Sequence, residues 1–328
     1  MKPDIILPSL HSGTPLLQHS ITPISSPPSA THIGKAKKPP FQEGIRMNSA
    51  TITLCNPDSE KSCFACCPPI RPAGYDHSLY KNMVKRILRE NTNSFDKGDD
   101  RIVPITGFSC WALGYLDEAY KRIGCLLHPC RHGGVDLRYR VDYGNKCARE
   151  TCPASKFFDA LTITQKTFWL QLVDGFDAFS YSSRKANPLF NLMPWGCHLL
   201  RLIPVVEGDR RFTWESFLEA YPFFETKALP RNNAYLINRL VHLENIHLLT
   251  SKRFKDTFEQ FSAGLSVRLS RKVTNREKGF PVHRLNMDRD FLDFLRLSLS
   301  ITKTGLKEAI ALKEMVDEYC EQFGRGLR

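Results

Sequence analysis

Nine of the chain's eleven cysteines fall between Cys55 and Cys152. They form two sets: Cys55, Cys63, Cys66 and Cys67, then Cys110, Cys125, Cys130, Cys147 and Cys152. Thiols this dense are seldom a packing choice; they are oxidised to disulfides or they hold a soft metal. The opening residues Met1-Lys2-Pro3-Asp4-Ile5-Ile6-Leu7-Pro8 do not read as an export signal, because the apolar run is short and bracketed by prolines. The expected compartment is therefore the cytoplasm, where structural disulfides are rare. An odd total of eleven also argues against a fully paired disulfide framework. Reduced, metal-bound cysteines are the expected state.

Spacing sharpens that expectation. Cys63-Phe64-Ala65-Cys66 is a C-x-x-C step, in which a tight turn aims two sulfurs at one ion and its backbone N–H groups stabilise the thiolates. Cys67 follows directly, and neighbours in an extended stretch point opposite ways. Cys67 is thus expected to face a second metal or another edge of one cluster. The second set is looser, with C-x4-C at Cys125/Cys130 and again at Cys147/Cys152. His128 lies inside the first of these pairs as a nitrogen ligand or as a nearby imidazole. His132-Gly133-Gly134 reads as a turn. An all-cysteine set suits zinc and iron–sulfur clusters alike, so the cofactor is expected to be one of these two.

At these residues the chain resembles the YkgJ-type cysteine-cluster family, the zinc- or iron-chelating CxxCxxCC-domain proteins. The resemblance is carried by Cys63-x-x-Cys66-Cys67 and by Cys110-Trp111-Ala112-Leu113, running on into Gly124-Cys125-Leu126-Leu127-His128-Pro129-Cys130-Arg131. It implies metal binding, with Cys63, Cys66, Cys67, Cys110, Cys125 and Cys130 as ligands and Cys55 in place of the family's leading cysteine. The gap after Cys55 is longer than the family's, and its Arg-Pro-x-x-Cys-Arg step is altered to His128-Pro129-Cys130-Arg131. The match covers roughly residues 55–152, and the family implies no settled reaction.

Around the cysteines the chain divides into three stretches. Residues 1–48 are rich in Pro, Ser, Thr and His without sustained periodicity, and are expected to be a disordered tail. Met47 precedes a plausible strand, Ala50–Leu54, and marks an alternative start. Residues 49–153 are expected to form the cysteine-cluster domain, with a helix over Asp76–Asn91 whose Leu79, Met83, Ile87 and Leu88 recur at helical spacing. A shorter helix is expected over Leu113–Ile123. Pro68 to His77, between the cysteines and the first helix, reads as a rigid spacer. Residues 154–328 carry amphipathic helical patterns over Phe157–Phe176, Trp214–Tyr221, Asn233–Leu249, Lys252–Leu269, Asp288–Ser300 and Lys303–Phe323. Pro188, Pro194, Pro204, Pro222, Pro230 and Pro281 punctuate the connections, and the segments around Leu189 and from Met193 to His198 read as loop and packing. The expected fold is mainly α: an irregular cysteine-rich metal-binding domain packed against a larger helical domain.

Charge and missing motifs narrow the function. The formal charge is +12, but it counts every cysteine as neutral. Nine thiolates holding two divalent ions lower it by five, to about +7. The stretch 252–290 carries ten lysines and arginines against five acids, interspersed as on a solvated helix, so a nucleic-acid partner is disfavoured. No apolar run reaches the roughly 20 residues of a membrane span. There is no phosphate-binding glycine loop, no G-x-S-x-G elbow and no H-E-x-x-H. Cys197-His198 is too isolated to read as a catalytic pair. The first expectation is a metal-binding protein whose partner is the ion itself, in a structural or metal-handling role, with a protein partner left open. The rival is an iron–sulfur or zinc enzyme performing redox or protein methyl-transfer chemistry, since flagellin lysine methylases share a similar cluster. A nucleic-acid-binding module stands third.

Overall fold

Amphipathic spacing becomes helix along most of the chain. The computed structural model describes residues 52–67, 76–105, 110–142, 147, 152–272 and 279–327. The tail over 1–48, Met47, Ala50 and Thr51 of the expected strand, most of the Pro68–His77 spacer and residues 273–278 of the basic stretch lie outside them. Residues Gly44–Arg328 group as one compact unit.

A 3-10 turn, His77–Tyr80, leads into α1, Lys81–Ser94. Two short antiparallel strands follow, β1 (Leu113–Tyr115) and β2 (Ile123–Cys125). Helices then dominate: α2 Pro153–Asp159, α3 Ile163–Leu170, α4 Ala178–Ser182, α5 Leu189–Leu192, α6 Cys197–Glu207, α7 Trp214–Ala220, α8 Pro230–Leu240 and α9 Lys252–Lys272. The chain ends on α10, Arg289–Ser298, and α11, Leu306–Arg325, with a minimal ladder between β3 (Phe280–Pro281) and β4 (Lys303–Thr304).

Three expectations fail locally, each for a visible reason. Leu113–Ile123 is a β-hairpin, not a helix, because Asp117 accepts the N–H groups of Lys121 and Arg122 and holds the chain in a turn. The expected helix over Phe157–Phe176 breaks at Thr162, which restarts the chain as α3 through a reciprocal cap with Gln165. The Asn233–Leu249 pattern breaks at Val241 and His242, where Asn245 Oδ1 takes the His242 N–H and a 3-10 segment begins. Of the expected strand, Thr53 makes only an isolated bridge to Asn56. Conversely, Met193–His198 is not a simple loop: it enters α6, which carries Pro204 inside it.

The main core is aromatic, with Trp169, Trp195, Phe217, Phe223, Phe258, Phe291 and Phe294 essentially inaccessible to solvent. The Trp169 indole N–H still finds a partner in Leu200 O at 2.9 Å, as a buried donor must. α8 packs along α10, where Arg231 and Arg296 both bind the buried Asp293. No single helix among the described residues is long and apolar enough to cross a membrane. The one apolar pair among them, Leu189–Trp195 with Cys197–Glu207, is bent by 106° and puts Leu189, Leu192, Met193, Trp195, Leu199, Leu200 and Ile203 into this core, leaving Val205 and Val206 exposed.

Among the described residues the cysteine segment contributes to two small cores. One joins Phe64, Val84, Leu88, Leu113, Tyr115 and Ile123 to Ala178 and Phe179 of α4. Another is Ala112, Leu127 and Val141. Leu54 reaches instead into the main core, where its carbonyl takes the Tyr181 hydroxyl at 2.8 Å.

Candidate metal centre

The cysteines sit on turns held from three sides. Ser62 bonds both backbone groups of Ile123 at 2.7 Å, fastening the first cysteine turn to β2. Ser182 of α4 accepts the Phe64 N–H at 3.0 Å and donates to Ser62 O at 3.3 Å, fastening the same turn to the helical body. Asn91 of α1 donates to Cys110 O and Leu113 O at 3.0 and 2.8 Å, and Thr92 accepts the Tyr115 N–H at 2.8 Å. All four residues are small and polar, suited to bonding a neighbouring backbone in place of a sheet ladder.

Within these turns one arrangement recurs. The Ala65 N–H faces the Cys63 sulfur, the Ala112 N–H the Cys110 sulfur, and the Leu127 N–H the Cys125 sulfur. In each case the donor comes two residues after the cysteine. A donor aimed at sulfur favours thiolate over thiol. The opposing influence is desolvation, which dominates at all three. Burial pushes Cys110 up to about 11 and Cys125 to about 12, and raises Cys63 further. Cys55 is exposed by area but crowded enough that desolvation lifts it to about 11. Cys67 is held well above the ordinary thiol range by its bond to Cys66 and then by burial.

Electrostatic neighbours group the thiols. Cys63 lies within reach of Cys55, Cys66 and Cys152, and Cys55 within reach of Cys66 and Cys152. Cys110 feels Cys147, Cys125 feels Cys110 and Cys147, and Cys67 feels Cys66, Cys125 and Cys110. The sulfurs of Cys66 and Cys67 stand 3.9 Å apart, so this pair is not splayed as an extended strand would have it. The reason is a turn: Cys67 N bonds Phe64 O at 3.0 Å. None of the eleven cysteines is joined in a disulfide. Among the described residues no three His, Cys, Asp or Glu side chains converge into a finished coordination shell. Thiols are a donor type that zinc and iron–sulfur clusters take, but the described thiols as placed do not converge on a single ion.

No family model, curated protein or solved structure matches the chain.

Cys130 and His128 stand apart from the gathering. Cys130 is exposed on the 3-10 turn Pro129–Arg131, and its N–H donates to His128 Nδ1 at 3.3 Å, so His128 caps that turn. Desolvation, then the Arg138 charge, lowers the His128 pKa. Gly133 and Gly134 have positive φ, and Gly134 N bonds Pro129 O, making the expected turn. In the helical body Cys197 Sγ faces Phe157 O and His198 Nε2 faces Val241 O, so both are spent on backbone.

Two residues at the site carry no sequence signal. Arg138 is held by Asp136 and donates to Cys147 O at 2.9 Å, which places a cation beside Cys125 and Cys147. Ser155, one turn into α2, bonds the Cys55 side chain and also Asp159 at 3.2 Å. Ser155 lies far along the chain from Cys55, and only the packing of α2 brings the two together.

Proposed function

We propose that the chain is a metal-binding protein whose clustered cysteine thiolates hold zinc or an iron–sulfur centre in a structural or metal-handling role. The observation that carries this reading is the crowding of thiols, soft donors, on neighbouring turns: the Cys66 and Cys67 sulfurs stand 3.9 Å apart, and the hairpin pairs Cys125 with Leu113, whose N–H returns to Cys110 O. The small cores of the cysteine segment support a structural role, because metal binding then supplies folding energy that burial does not. The resemblance to YkgJ-type proteins points the same way.

The test is anaerobic purification followed by zinc, iron and acid-labile sulfide per chain, with the visible spectrum. Stoichiometric zinc in a colourless protein supports the structural reading. Iron with sulfide in a coloured protein keeps the metal-binding reading and brings forward the rival, a redox or methyl-transfer enzyme. A natively folded chain with no metal, its cysteines all reacting as ordinary thiols, would sink the proposal.

A further inference from the structure

We infer that Cys66 and Cys67 form a redox-active dithiol, which a small-molecule disulfide converts reversibly into a disulfide between the two adjacent cysteines. The inference stands on this pair alone and does not require a bound metal.

The geometry divides the work between the two thiols. Their sulfurs stand 3.9 Å apart in the reduced chain. An extended dipeptide would point neighbouring side chains opposite ways, and it is the turn at Cys67 that sets them on one side. Cys66 is exposed, whereas Cys67 is half-buried against the core of Phe64, Val84 and Leu88. A reagent in solution therefore meets Cys66 first, and Cys67 is already beside any bond that forms there. The turn behind the pair is anchored. The Cys67 N–H donates to Phe64 O at 3.0 Å, and the Phe64 N–H donates to Ser182 Oγ at 3.0 Å. Phe64 is fully buried, and its ring meets Phe179 of α4 edge-on with centroids 5.5 Å apart. Closing the gap to the roughly 2.05 Å of an S–S bond is thus carried by the exposed Cys66 moving onto a seated Cys67.

The exchange balances. The Cys66 thiolate attacks one sulfur of an external disulfide RSSR, forming Cys66–S–SR and releasing RS⁻. Cys67, its proton given to solvent, then attacks the Cys66 sulfur, forming the Cys66–Cys67 bond and releasing the second RS⁻. The protein gives up two electrons and two protons; the external disulfide takes both electrons and leaves as two RSH. Adjacent Cα atoms lie about 3.8 Å apart across a trans peptide, short of the roughly 4.4–6.8 Å that a relaxed disulfide spans. Such a bond is readily reopened by thiols, which suits a reversible site and not a permanent staple.

The test uses the full chain, reduced, freed of reductant and treated with oxidised glutathione. Remaining thiols are blocked, and the tryptic peptide that begins at Ser62 and holds Cys63, Cys66 and Cys67 is weighed and fragmented. In the wild type this peptide is expected to have lost two hydrogens, with the blocking group on Cys63 alone, and reduced glutathione is expected to restore both thiols. Cys67→Ser should stop at a glutathione adduct on Cys66, and Cys66→Ser should form no crosslink in this peptide. A bond from Cys66 to Cys63 or to another segment, a glutathione adduct that persists in the wild type, a crosslink that survives in Cys66→Ser, or no reaction at all overturns the inference. The wild-type peptide decides by itself, so a variant that fails to fold does not blunt the test. Metal content read on the same sample bears on the metal-binding proposal and leaves this result as the peptide gives it.

Discussion

A carboxylate in the first turn of a helix ordinarily gains from the positive end of the helix dipole. Asp290 in α10 does not keep that gain. Burial first, then the charges of Asp288 and Asp293, push it up to about 6, against the lowering effects of Arg289 and of the Asn238 amide 3.0 Å away. Its folded value thus lies above the unfolded one near ~3.9. Between those two values the folded state holds more protons than the unfolded state. Its contribution to stability therefore falls as pH rises through the window from about 4 to about 6, and levels off above it. Asp290→Asn keeps an oxygen for Asn238 and removes the charge. We expect it to stabilise the fold by about 1–3 kcal/mol at pH 7.5, and by progressively less on going down to pH 5. Urea melts at both values check this; an equal change at both would show that the carboxylate is not perturbed.

The β1–β2 hairpin shows how an element can override the spacing of its apolar residues. Leu113, Leu116, Tyr120 and Ile123 recur as on a helix. Gly114 and Gly124 face each other across the ladder instead, and both are closely overlaid. A Cβ on Gly114 would stand 2.7 Å from Leu126 Cδ1 and from Thr92 Oγ1, and one on Gly124 would stand 2.8 Å from Leu116 Cδ1. The close approach of Thr92 is what lets α1 accept the Tyr115 N–H and so carry Cys110 and Cys125 on one scaffold. Gly114→Ala is therefore expected to cost about 1–3 kcal/mol through overpacking. It should also speed hydrogen exchange at the Tyr115 amide. Wild-type stability together with unchanged exchange would show that Thr92 gives way without cost.

The cysteine turns depend on the helical body as a whole. Ser182, far along the chain in α4, holds Phe64 N and Ser62 O, and Ser62 in turn holds β2. Tyr181 beside it holds Leu54 O. One short helix thus sets the positions of Cys55, Cys63 and the edge of the strand that ends in Cys125. Ser182→Ala leaves a buried N–H and weakens this seam, so we expect a loss of about 1–3 kcal/mol. If the proposed zinc is bound, it should also pass faster to a competing chelator. A lower melting point with unaltered zinc transfer would place Ser182 in stability alone.

Much was determined by the amino-acid sequence alone. Helical periodicity foretold α1, α7, α9, α10 and α11 to within a few residues, because an amphipathic face is a local pattern. Cysteine density marks the segment where a metal is expected, because the chemistry lies in the residue type, but among the described residues no three ligating side chains converge there. What periodicity missed was the hairpin, the breaks at Thr162 and Val241, and α6 with its internal Pro204. In these a side-chain bond or burial in the main core outweighs local preference. Only the tertiary structure decided how the thiols are grouped. Cysteine carries no period, and spacing joined Cys147 to Cys152 and Cys125 to Cys130. Folding instead sets Cys152 beside Cys55 and Cys63, and Cys147 beside Cys110 and Cys125. The physical reason is that Cys152 starts a helix packed on the main core while the Cys147 carbonyl is held by Arg138.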